Sequence, residues 1–248
     1  DSKKKYPLLM FQYSGPGSQE VSNRWGDERN LWHKKIANMG YIIACVDGRG
    51  TGFKGAKFKK ITYMNLVKYE SIDQISAAKK LRNLPFINSE RIGIWGWSFG
   101  GHMATHCLLK GNDVFSMAIA VAPVTNWRFY DTIYTERFMR TPQENPDGYD
   151  LNSPINYAED LKGKLLIIHG SADDNVHVQN TMRMVEALIE KNKQFEWMVY
   201  PDKNHGIYGG NTTNHLYTKM TNFIKNNLYL IKNNLFNGSE VNQKTILG

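Results

Sequence analysis

The sequence predicts an α/β fold in which a mostly parallel β-sheet carries helices on both faces. Short apolar runs typical of strands alternate along the chain with amphipathic stretches typical of helices. Strands that are buried on both faces and joined through helices form parallel sheets. One of these strands also runs directly into the pentapeptide Gly96-Trp97-Ser98-Phe99-Gly100, whose G-x-S-x-G spacing is typical of a sharp turn from a strand into a helix.

The elements before this turn follow from apolar runs and their flanking turn residues. Strands are predicted over residues 6–13, 41–46 and 91–95, the first of them ending in a turn rich in glycine and proline. A helix is predicted around residues 32–39. A second helix is predicted over residues 72–81, because isoleucine, alanine and leucine recur there at every third position and would face the sheet.

The elements after the turn continue the alternation. Strands are predicted at residues 115–121, 165–168 and 195–200, and helices at about residues 178–191 and 216–228. The segment 125–157 is polar and rich in aromatic residues, and no regular element is predicted in it. Residues 1–228 are therefore expected to form one domain. Residues 229–248 are polar and rich in asparagine, and we expect them to be loosely ordered or an expression remnant.

The composition is that of a globular protein and excludes several other classes. The 248 residues are 41% apolar, which is enough for a substantial core. The formal net charge is +8, but the basic residues are spread along the chain without a nucleic-acid-binding motif, so no nucleic-acid partner is expected. No apolar run approaches the roughly 20 residues that span a bilayer. The chain opens on Asp1 without a signal peptide, so we expect it to be an excised or processed piece of a longer protein.

Ser98 is the residue to which the turn assigns chemistry. Small residues at Gly96 and Gly100 let the chain pass directly from strand to helix, and the strained backbone lifts the serine hydroxyl above the edge of the sheet. The next backbone N–H is then free to bind an oxyanion. The pentapeptide alone occurs by chance in many loops, and its position after a predicted strand is what gives it weight.

A serine nucleophile needs a base, and the base needs an anionic partner that fixes its tautomer. In α/β-hydrolases these residues follow in the order Ser, Asp or Glu, His, each on a loop after a strand. Here Asp173 and Asp174 follow one predicted strand, and His205 follows the next. The sequence therefore predicts an α/β-hydrolase fold with Ser98, His205 and one of the two aspartates as a catalytic triad.

Each of these side chains also has a structural interpretation. One of Asp173 and Asp174 is expected to cap the following helix, because aspartate is a favoured N-cap. A single histidine in a loop, such as His205, is usually a surface residue. His102 and His106 have the four-residue spacing of a zinc-binding helix, but the glutamate of H-E-x-x-H and a third ligand are missing. We therefore expect both rings to pack within the helix after Ser98, and no metal is predicted.

Several further segments match one known pattern. They are Tyr6-Pro7-Leu8-Leu9, Tyr13-Ser14-Gly15-Pro16, Asp47-Gly48-Arg49-Gly50-Thr51-Gly52, Val121-Ala122-Pro123-Val124, Tyr134-Thr135-Glu136-Arg137, the stretch from His169 to His177, and His205-Gly206. With these segments, residues 6 to 228 resemble the catalytic domain of the prolyl oligopeptidase family of serine peptidases, and within it the dipeptidyl peptidase IV branch. Trp97 and the Tyr-Thr-Glu-Arg segment are specific to that branch.

The resemblance implies roles for individual residues. The triad acid would be Asp173, and the oxyanion hole would consist of the Tyr13 hydroxyl and the backbone N–H of Phe99. Asn175 would bind the carbonyl of the penultimate substrate residue. A pocket for proline is implied for Phe99, Val124, Trp127, Tyr130, Tyr134 and Val176. A flat pyrrolidine ring stacks well on aromatic side chains, and the polar segment around the aromatic members is a poor place for core residues.

The resemblance also implies an activity, namely cleavage after proline, or less well alanine, near the N-terminus of a peptide, without a cofactor. Family members carry a β-propeller that precedes this domain, and in the dipeptidyl peptidase branch its acidic residues hold the substrate's free α-amino group. That domain is expected to lie outside these 248 residues, so little dipeptidyl activity is expected from this chain alone. Phe99 also departs from the tyrosine that is usual after the nucleophile.

Some implications concern partners and location. Family members often dimerise through the last helix of this domain, which makes residues 216–228 the expected homodimer interface. A periplasmic, secreted or cell-surface location is expected from the family. An esterase or broader oligopeptidase on the same fold is the alternative enzyme, separable by comparing ester with Gly-Pro amide turnover. A catalytically silent interaction module is the alternative from another class, and it would not label with a fluorophosphonate.

Overall fold

A six-stranded sheet forms the centre of the computed structural model, which describes residues 4–228. The strands are β1 (Tyr6–Phe11), β2 (Ile42–Cys45), β3 (Ile87–Trp97), β4 (Met117–Val121), β5 (Lys164–Gly170) and β6 (Glu196–Tyr200). Their order in the sheet is β2-β1-β3-β4-β5-β6, and every neighbouring pair is parallel. Because all strands run the same way, the loops that follow them meet at one edge of the sheet.

Helices connect the strands and account for most of the remaining chain. They are α1 (Glu28–Asn38), α2 (Ala56–Lys60), α3 (Lys68–Arg82), α4 (Phe99–Lys110), α5 (Thr132–Met139), α6 (Pro146–Asp150), α7 (Gln179–Glu190) and α8 (Thr212–Asn227), with 3₁₀ turns at Trp127–Phe129 and Pro154–Asp160. Several of these helices begin at a residue whose side chain caps the helix N-terminus. Asp27, Asp131 and Asn145 each accept a hydrogen bond from a backbone N–H three residues later, which satisfies a group that the helix itself leaves unpaired.

Two apolar cores lie on opposite faces of the sheet. Successive side chains of a strand point to opposite faces, so in β1 Leu8 and Met10 join one core, while Leu9 and Phe11 join the other. The first core is closed by α3, α4 and α7, and the second by α1 and α8. The predicted α/β-hydrolase fold, a mostly parallel sheet with helices on both faces, is therefore confirmed.

The inward face of α3 follows the prediction at three of its four positions. Ala78 is buried and Ile75 and Leu81 pack against the core, whereas Ile72 is 46% exposed. The repeat did not indicate that Glu70 and Gln74 would also be fully buried. Gln74 donates a hydrogen bond of 2.7 Å to the carbonyl of Val46, so a polar residue on α3 supports the loop after β2.

The segment 125–157 also differs from the prediction, since it contains α5, α6 and both 3₁₀ turns. Its buried side chains include Trp127, Met139 and Tyr149, all at most 1% exposed, so the segment contributes to the core. Elements of three to eight residues complete too few turns to show an apolar period. They are therefore hard to recognise from sequence.

The last helix, α8, begins four residues before the predicted position. Leu216, Met220 and Ile224 are buried in the core on its own side of the sheet. A homodimer through this helix would thus use its outer, more polar face, and the dimer stays a prediction. The predicted tail, residues 229–248, lies outside the described residues. Within residues 4–228, none of the helices is both long and apolar enough to span a bilayer.

Candidate active site

Ser98 occupies the turn between β3 and α4 in a backbone conformation that side chains rarely adopt. Its φ is 61° and its ψ is −117°. A Cβ atom on Gly96 would lie 2.4 Å from the carbonyl oxygen of Gly100, and one on Gly100 would lie 2.6 Å from the carbonyl oxygen of Gln12. Both contacts are shorter than atoms tolerate, so glycine is required two residues before and two after Ser98.

The turn also uses the backbone of Ser98 while leaving its side chain accessible. The Ser98 N–H donates to the carbonyl of Val121 at the end of β4, at 2.8 Å, and the residue is partly exposed. Phe99 follows as the first residue of α4, and a helix offers its first N–H groups no internal carbonyl. A partly exposed hydroxyl therefore stands next to an N–H at the positive end of a helix.

Asp173 lies in the loop after β5 with its side chain fully buried. One carboxylate oxygen, Oδ1, accepts from the backbone N–H groups of Asn175 and Val176 at 3.0 and 2.9 Å. The other, Oδ2, lies 2.7 Å from Nδ1 of His205 and 3.2 Å from Nε2 of His169. Burial alone raises the pKa of this carboxyl, but hydrogen bonds from His169 and His205 outweigh it and hold the pKa well below its usual range.

His205 lies in the loop after β6 and is oriented from two sides. Its Nδ1 faces the Asp173 carboxylate, which can only accept, so Nδ1 carries a hydrogen. The indole Nε1–H of Trp97 donates to the backbone carbonyl of His205 at 3.0 Å. The residue before Ser98 thus ties the histidine loop to the turn, and the oriented imidazole lies at the same edge of the sheet as the serine.

Tyr13 follows β1, and its side chain lines the same small cleft as Ser98. Burial raises the pKa of Tyr13, the nearby Ser98 side chain lowers it to a smaller degree, and the charge of Glu20 raises it further. The phenol therefore stays protonated at neutral pH and remains a donor.

A small aromatic cleft of about 20 Å³ opens beside the serine. Its walls are Tyr13, Ser98, Phe99, Val124, Trp127, Tyr130 and Tyr134. The Trp127 ring stacks on Tyr134 and lies edge-on to Tyr130, each at a centroid distance of 6.0 Å. Burial raises the pKa of Tyr130 to about 12, so this hydroxyl also stays neutral. The cleft is thus uncharged, flat-walled and largely apolar.

Comparison with known proteins identifies the family. The sequence profile of the prolyl oligopeptidase family matches residues 28–230, which is most of the chain. The chain belongs to the prolyl oligopeptidase family. The resemblance seen in the sequence is thereby confirmed at the level of the family.

Two curated relatives and two solved structures that resemble this chain carry names of dipeptidyl peptidases or dipeptidyl aminopeptidases. The probable dipeptidyl-aminopeptidase B of Phaeosphaeria nodorum is 46% identical over 90% of this chain, and that of Neurospora crassa is 45% identical over 91%. A crystal structure of dipeptidyl peptidase 4 from Porphyromonas gingivalis superposes on 92% of this chain with a TM-score of 0.89 and 54% sequence identity. A crystal structure of a putative dipeptidyl aminopeptidase IV from Bacteroides ovatus also superposes on 92% of this chain, with a TM-score of 0.88 and 37% sequence identity.

The chain spans only part of these prolyl oligopeptidase relatives. It covers about a quarter of each curated relative, 25% in both cases, and 32% of each solved chain. The likeness therefore concerns the α/β-hydrolase domain that carries the serine turn.

The structure brings together most of the site residues that were predicted from the sequence. Two residues of the predicted proline pocket differ from expectation. Trp127 is 1% exposed and belongs to the core on the α4 face, so the expectation that this segment is a poor place for core was wrong for it. Val176 is fully buried and does not line the aromatic cleft. Its contribution here is the N–H that holds Asp173.

The two aspartates are also separated by the structure. Asp174 is exposed, whereas Asp173 is buried against His205. Helix α7 begins at Gln179 with Val178 as its N-cap residue and without a side-chain cap. The expectation that one aspartate caps this helix was therefore wrong. The Asp173 carboxylate instead binds backbone N–H groups within its own loop.

Asn175 lies beside the aromatic cleft, where its Oδ1 accepts from the Tyr130 hydroxyl at 2.7 Å. This bond directs the amide NH₂ group elsewhere, and both residues line a neighbouring cleft of about 600 Å³. His102 and His106 are buried in α4, as expected. His102 stacks on Trp127 at 5.4 Å and thus lies behind the wall of the aromatic cleft.

Three supporting residues of the site were missed from the sequence. Gln12, one residue before Tyr13, donates 2.8 Å to the carbonyl of Gly100 and so joins β1 to the start of α4. Trp97 matches the family branch, but that match does not predict its hydrogen bond to His205. His169 lies in a segment that matches the family, which does not predict its contact with Asp173. The contacts of Gln12 and Trp97 join residues far apart in the chain, whereas His169 contacts the loop that directly follows its own strand.

Proposed function

We propose that this chain is the catalytic domain of a serine peptidase of the dipeptidyl peptidase IV type, with Ser98 as nucleophile, His205 as base and Asp173 as the acid. The observation that supports it most is the 2.7 Å contact between His205 Nδ1 and the buried Asp173 carboxylate, at the sheet edge where the strained turn presents Ser98. Buried carboxylate, oriented imidazole and exposed hydroxyl together form the arrangement that activates a serine.

In the proposed reaction, His205 Nε2 accepts the Ser98 proton as Oγ attacks the carbonyl carbon of the scissile bond. The Asp173 anion stabilises the imidazolium that results. The imidazolium then protonates the leaving amine, the C–N bond breaks, and an acyl-enzyme remains. Water, deprotonated by the same imidazole, attacks the acyl carbon and releases the new carboxylate, while the proton returns to Ser98.

Two donors are suited to the oxyanion that forms during both attacks. One is the Phe99 N–H at the start of α4, and the other is the Tyr13 phenol, which is kept protonated by burial. A neutral phenol binds the developing negative charge more strongly than it binds the uncharged substrate carbonyl. It therefore lowers the barrier rather than only tightening substrate binding.

Replacing Tyr13 with phenylalanine is expected to lower kcat for a Gly-Pro amide by about 10²- to 10³-fold, with little change in KM, since the lost hydrogen bond forms fully in the transition state. Steady-state kinetics of the complete protein measure both constants. Tyr63→Phe is the matched control, because Tyr63 is an exposed tyrosine outside the aromatic cleft. An unchanged kcat in Tyr13→Phe would remove the phenol from the mechanism.

The proposed substrate is a peptide with proline, or less well alanine, in the second position. The walls of the aromatic cleft support this because they are flat and uncharged, and proline offers a flat ring without an N–H that would need a partner. At about 20 Å³ the cleft has to widen to admit that ring. Asn175, whose Oδ1 is held by Tyr130, lines the larger neighbouring cleft, and its amide NH₂ suits the carbonyl of the preceding substrate residue. In the complete protein, acidic residues of a β-propeller would hold the amino group of the substrate. We also propose that the complete protein is a homodimer.

The experiment that tests the nucleophile is labelling of this chain with a fluorophosphonate, followed by mass spectrometry of the labelled peptide. We expect one phosphonyl group on Ser98 and no label in Ser98→Ala. Ser22→Ala is the control, since Ser22 is an exposed serine away from the turn, and it should label like the wild type. A wild-type chain that stays unlabelled, or a Ser98→Ala chain that still takes up the label, would contradict the proposal.

A further inference from the structure

A second histidine lies close to the proposed triad acid. His169 is the next-to-last residue of β5 and is fully buried. Its Nε2 lies 3.2 Å from Asp173 Oδ2, the same oxygen that meets His205 Nδ1 at 2.7 Å. One carboxylate oxygen therefore lies near two imidazole rings, of which His205 is partly exposed and His169 is not.

The hydrogen-bond partners of His169 determine where its proton is. Nε2 lies 2.7 Å from the carbonyl oxygen of Val176 in addition to its contact with Asp173. A carbonyl and a carboxylate can only accept, so Nε2 carries a hydrogen. On the other side of the ring, Nδ1 lies 2.7 Å from the hydroxyl of Thr181 on α7, which can donate to it. The single Nε2–H is hydrogen-bonded to Val176 and lies next to the Asp173 carboxylate.

The contact also connects the two ends of the aspartate loop. Asp173 Oδ1 accepts from the N–H of Val176, and the carbonyl of Val176 accepts from His169. The ring of His169 thus closes a small network that holds both the carboxylate and the backbone around it. Thr181 fixes this ring from a helix that belongs to the core. The network is rigid, buried and built from one strand end, one loop and one helix.

We infer that His169 is a positioning residue for Asp173, and that its Nε2–H, which lies 2.7 Å from the Val176 carbonyl oxygen and 3.2 Å from Asp173 Oδ2, holds the carboxylate in the orientation that faces His205. This inference rests on the proposed function, in which Asp173 is the triad acid. His169 does not touch substrate, because it is fully buried behind Asp173. Its effect reaches the reaction only through the orientation of that carboxylate.

The test compares His169→Leu with His169→Gln in the complete protein. Leucine removes the donor, while glutamine places an amide N–H near the position of Nε2. We expect His169→Leu to lower kcat for a Gly-Pro amide by about ten- to hundredfold at unchanged KM, the size of one charge-assisted hydrogen bond. His169→Gln should restore most of this loss. Equal kcat values in the two variants would overturn the inference.

Two further variants guard against loss of folding. Thr181→Val keeps the shape of the side chain but removes the hydroxyl that fixes His169, and it should lower kcat at unchanged KM by a smaller factor than His169→Leu. His106→Leu removes another buried imidazole, one that contacts His102 and Tyr157 instead of an aspartate. It should lower the melting temperature without the loss of kcat seen in His169→Leu. If Thr181→Val leaves kcat unchanged, or His106→Leu lowers it as much as His169→Leu does, the inference is wrong.

The failure of the inference differs from the failure of the proposed function. If Ser98 is not the nucleophile, Ser98→Ala keeps its turnover and its fluorophosphonate label whatever happens at His169. If only the inference fails, Ser98→Ala is inactive and unlabelled, while the leucine and glutamine variants at His169 behave alike.

Discussion

Replacing Ser98 with alanine is expected to lower kcat for a Gly-Pro amide by at least about 10⁴-fold in the complete protein. The nucleophile is lost, and only transition-state binding by the oxyanion donors and the aromatic cleft remains. KM should change little, because alanine keeps the Cβ atom and leaves the cleft walls in place. Measurement of single-turnover and steady-state rates over the same substrate range gives both constants.

The fold of the Ser98→Ala variant should be preserved. The unusual backbone angles of Ser98 are held by its N–H bond to Val121 and by the two glycines, none of which the substitution removes. The melting temperature is therefore expected within a few degrees of the wild type, and Ser22→Ala should match the wild type in both rate and stability. Turnover within tenfold of the wild type in Ser98→Ala would exclude Ser98 as the nucleophile.

Replacing Glu70 with glutamine is expected to have the largest effect on stability, and the effect should depend on pH. Glu70 on α3 is fully buried, and neither carboxyl oxygen has a well-aligned hydrogen-bond partner among residues 4–228. Burial raises its pKa from 4.5 to about 8, and the nearby backbone N–H groups of Glu70 and Val67 offset only part of that rise.

The direction of the pH dependence follows from the raised pKa. Between pH 4.5 and pH 8 the unfolded chain has released the Glu70 proton, while the folded chain still holds it. Folding then takes up a proton, so the free energy of unfolding falls as the pH rises, by about 1.4 kcal/mol per pH unit. Glutamine has no proton to release, so the variant should gain roughly 4 kcal/mol relative to the wild type between pH 5 and pH 9.

Urea unfolding of the two chains at several pH values between 5 and 9 measures this difference. Glu190→Gln is the control, because Glu190 is exposed at the end of α7 and should leave the pH dependence unchanged. Wild-type and Glu70→Gln curves that run parallel across this range would show that the Glu70 carboxyl keeps an ordinary pKa.

The parts of the fold that could be predicted are those with a local pattern of sufficient length. The strands β1, β4, β5 and β6 are continuous apolar or alternating runs, and α7 shows a clear apolar stripe that includes Met184 and Leu188. Helices α5 and α6 were missed because eight and five residues are too few for a period to emerge. Helix α3 was placed correctly, and Ile75, Ala78 and Leu81 face the core as expected, but the burial of Glu70 and Gln74 was not predicted.

The candidate site likewise contains residues that could be predicted from the sequence and residues that could not. Ser98 and His205 were recognisable because a short motif or a single histidine followed a predicted strand. The acid could not be chosen by spacing, since Asp173 and Asp174 are adjacent, and only the resemblance favoured Asp173. The structure separates them by burial, with Asp173 beside His205 and Asp174 in solvent.

Local patterns in the sequence predict the alternation of strands and helices, the strained turn at Ser98, and the order of the serine, aspartate and histidine. Each of these is a pattern of neighbouring residues that backbone sterics or side-chain period makes recognisable. Three other features appear only in the folded molecule: Trp97 ties the His205 loop to the turn, Gln12 joins β1 to α4, and the Glu70 carboxyl is buried. These contacts depend on which strands lie next to each other in the sheet and on how helices close over it, and no local pattern records that.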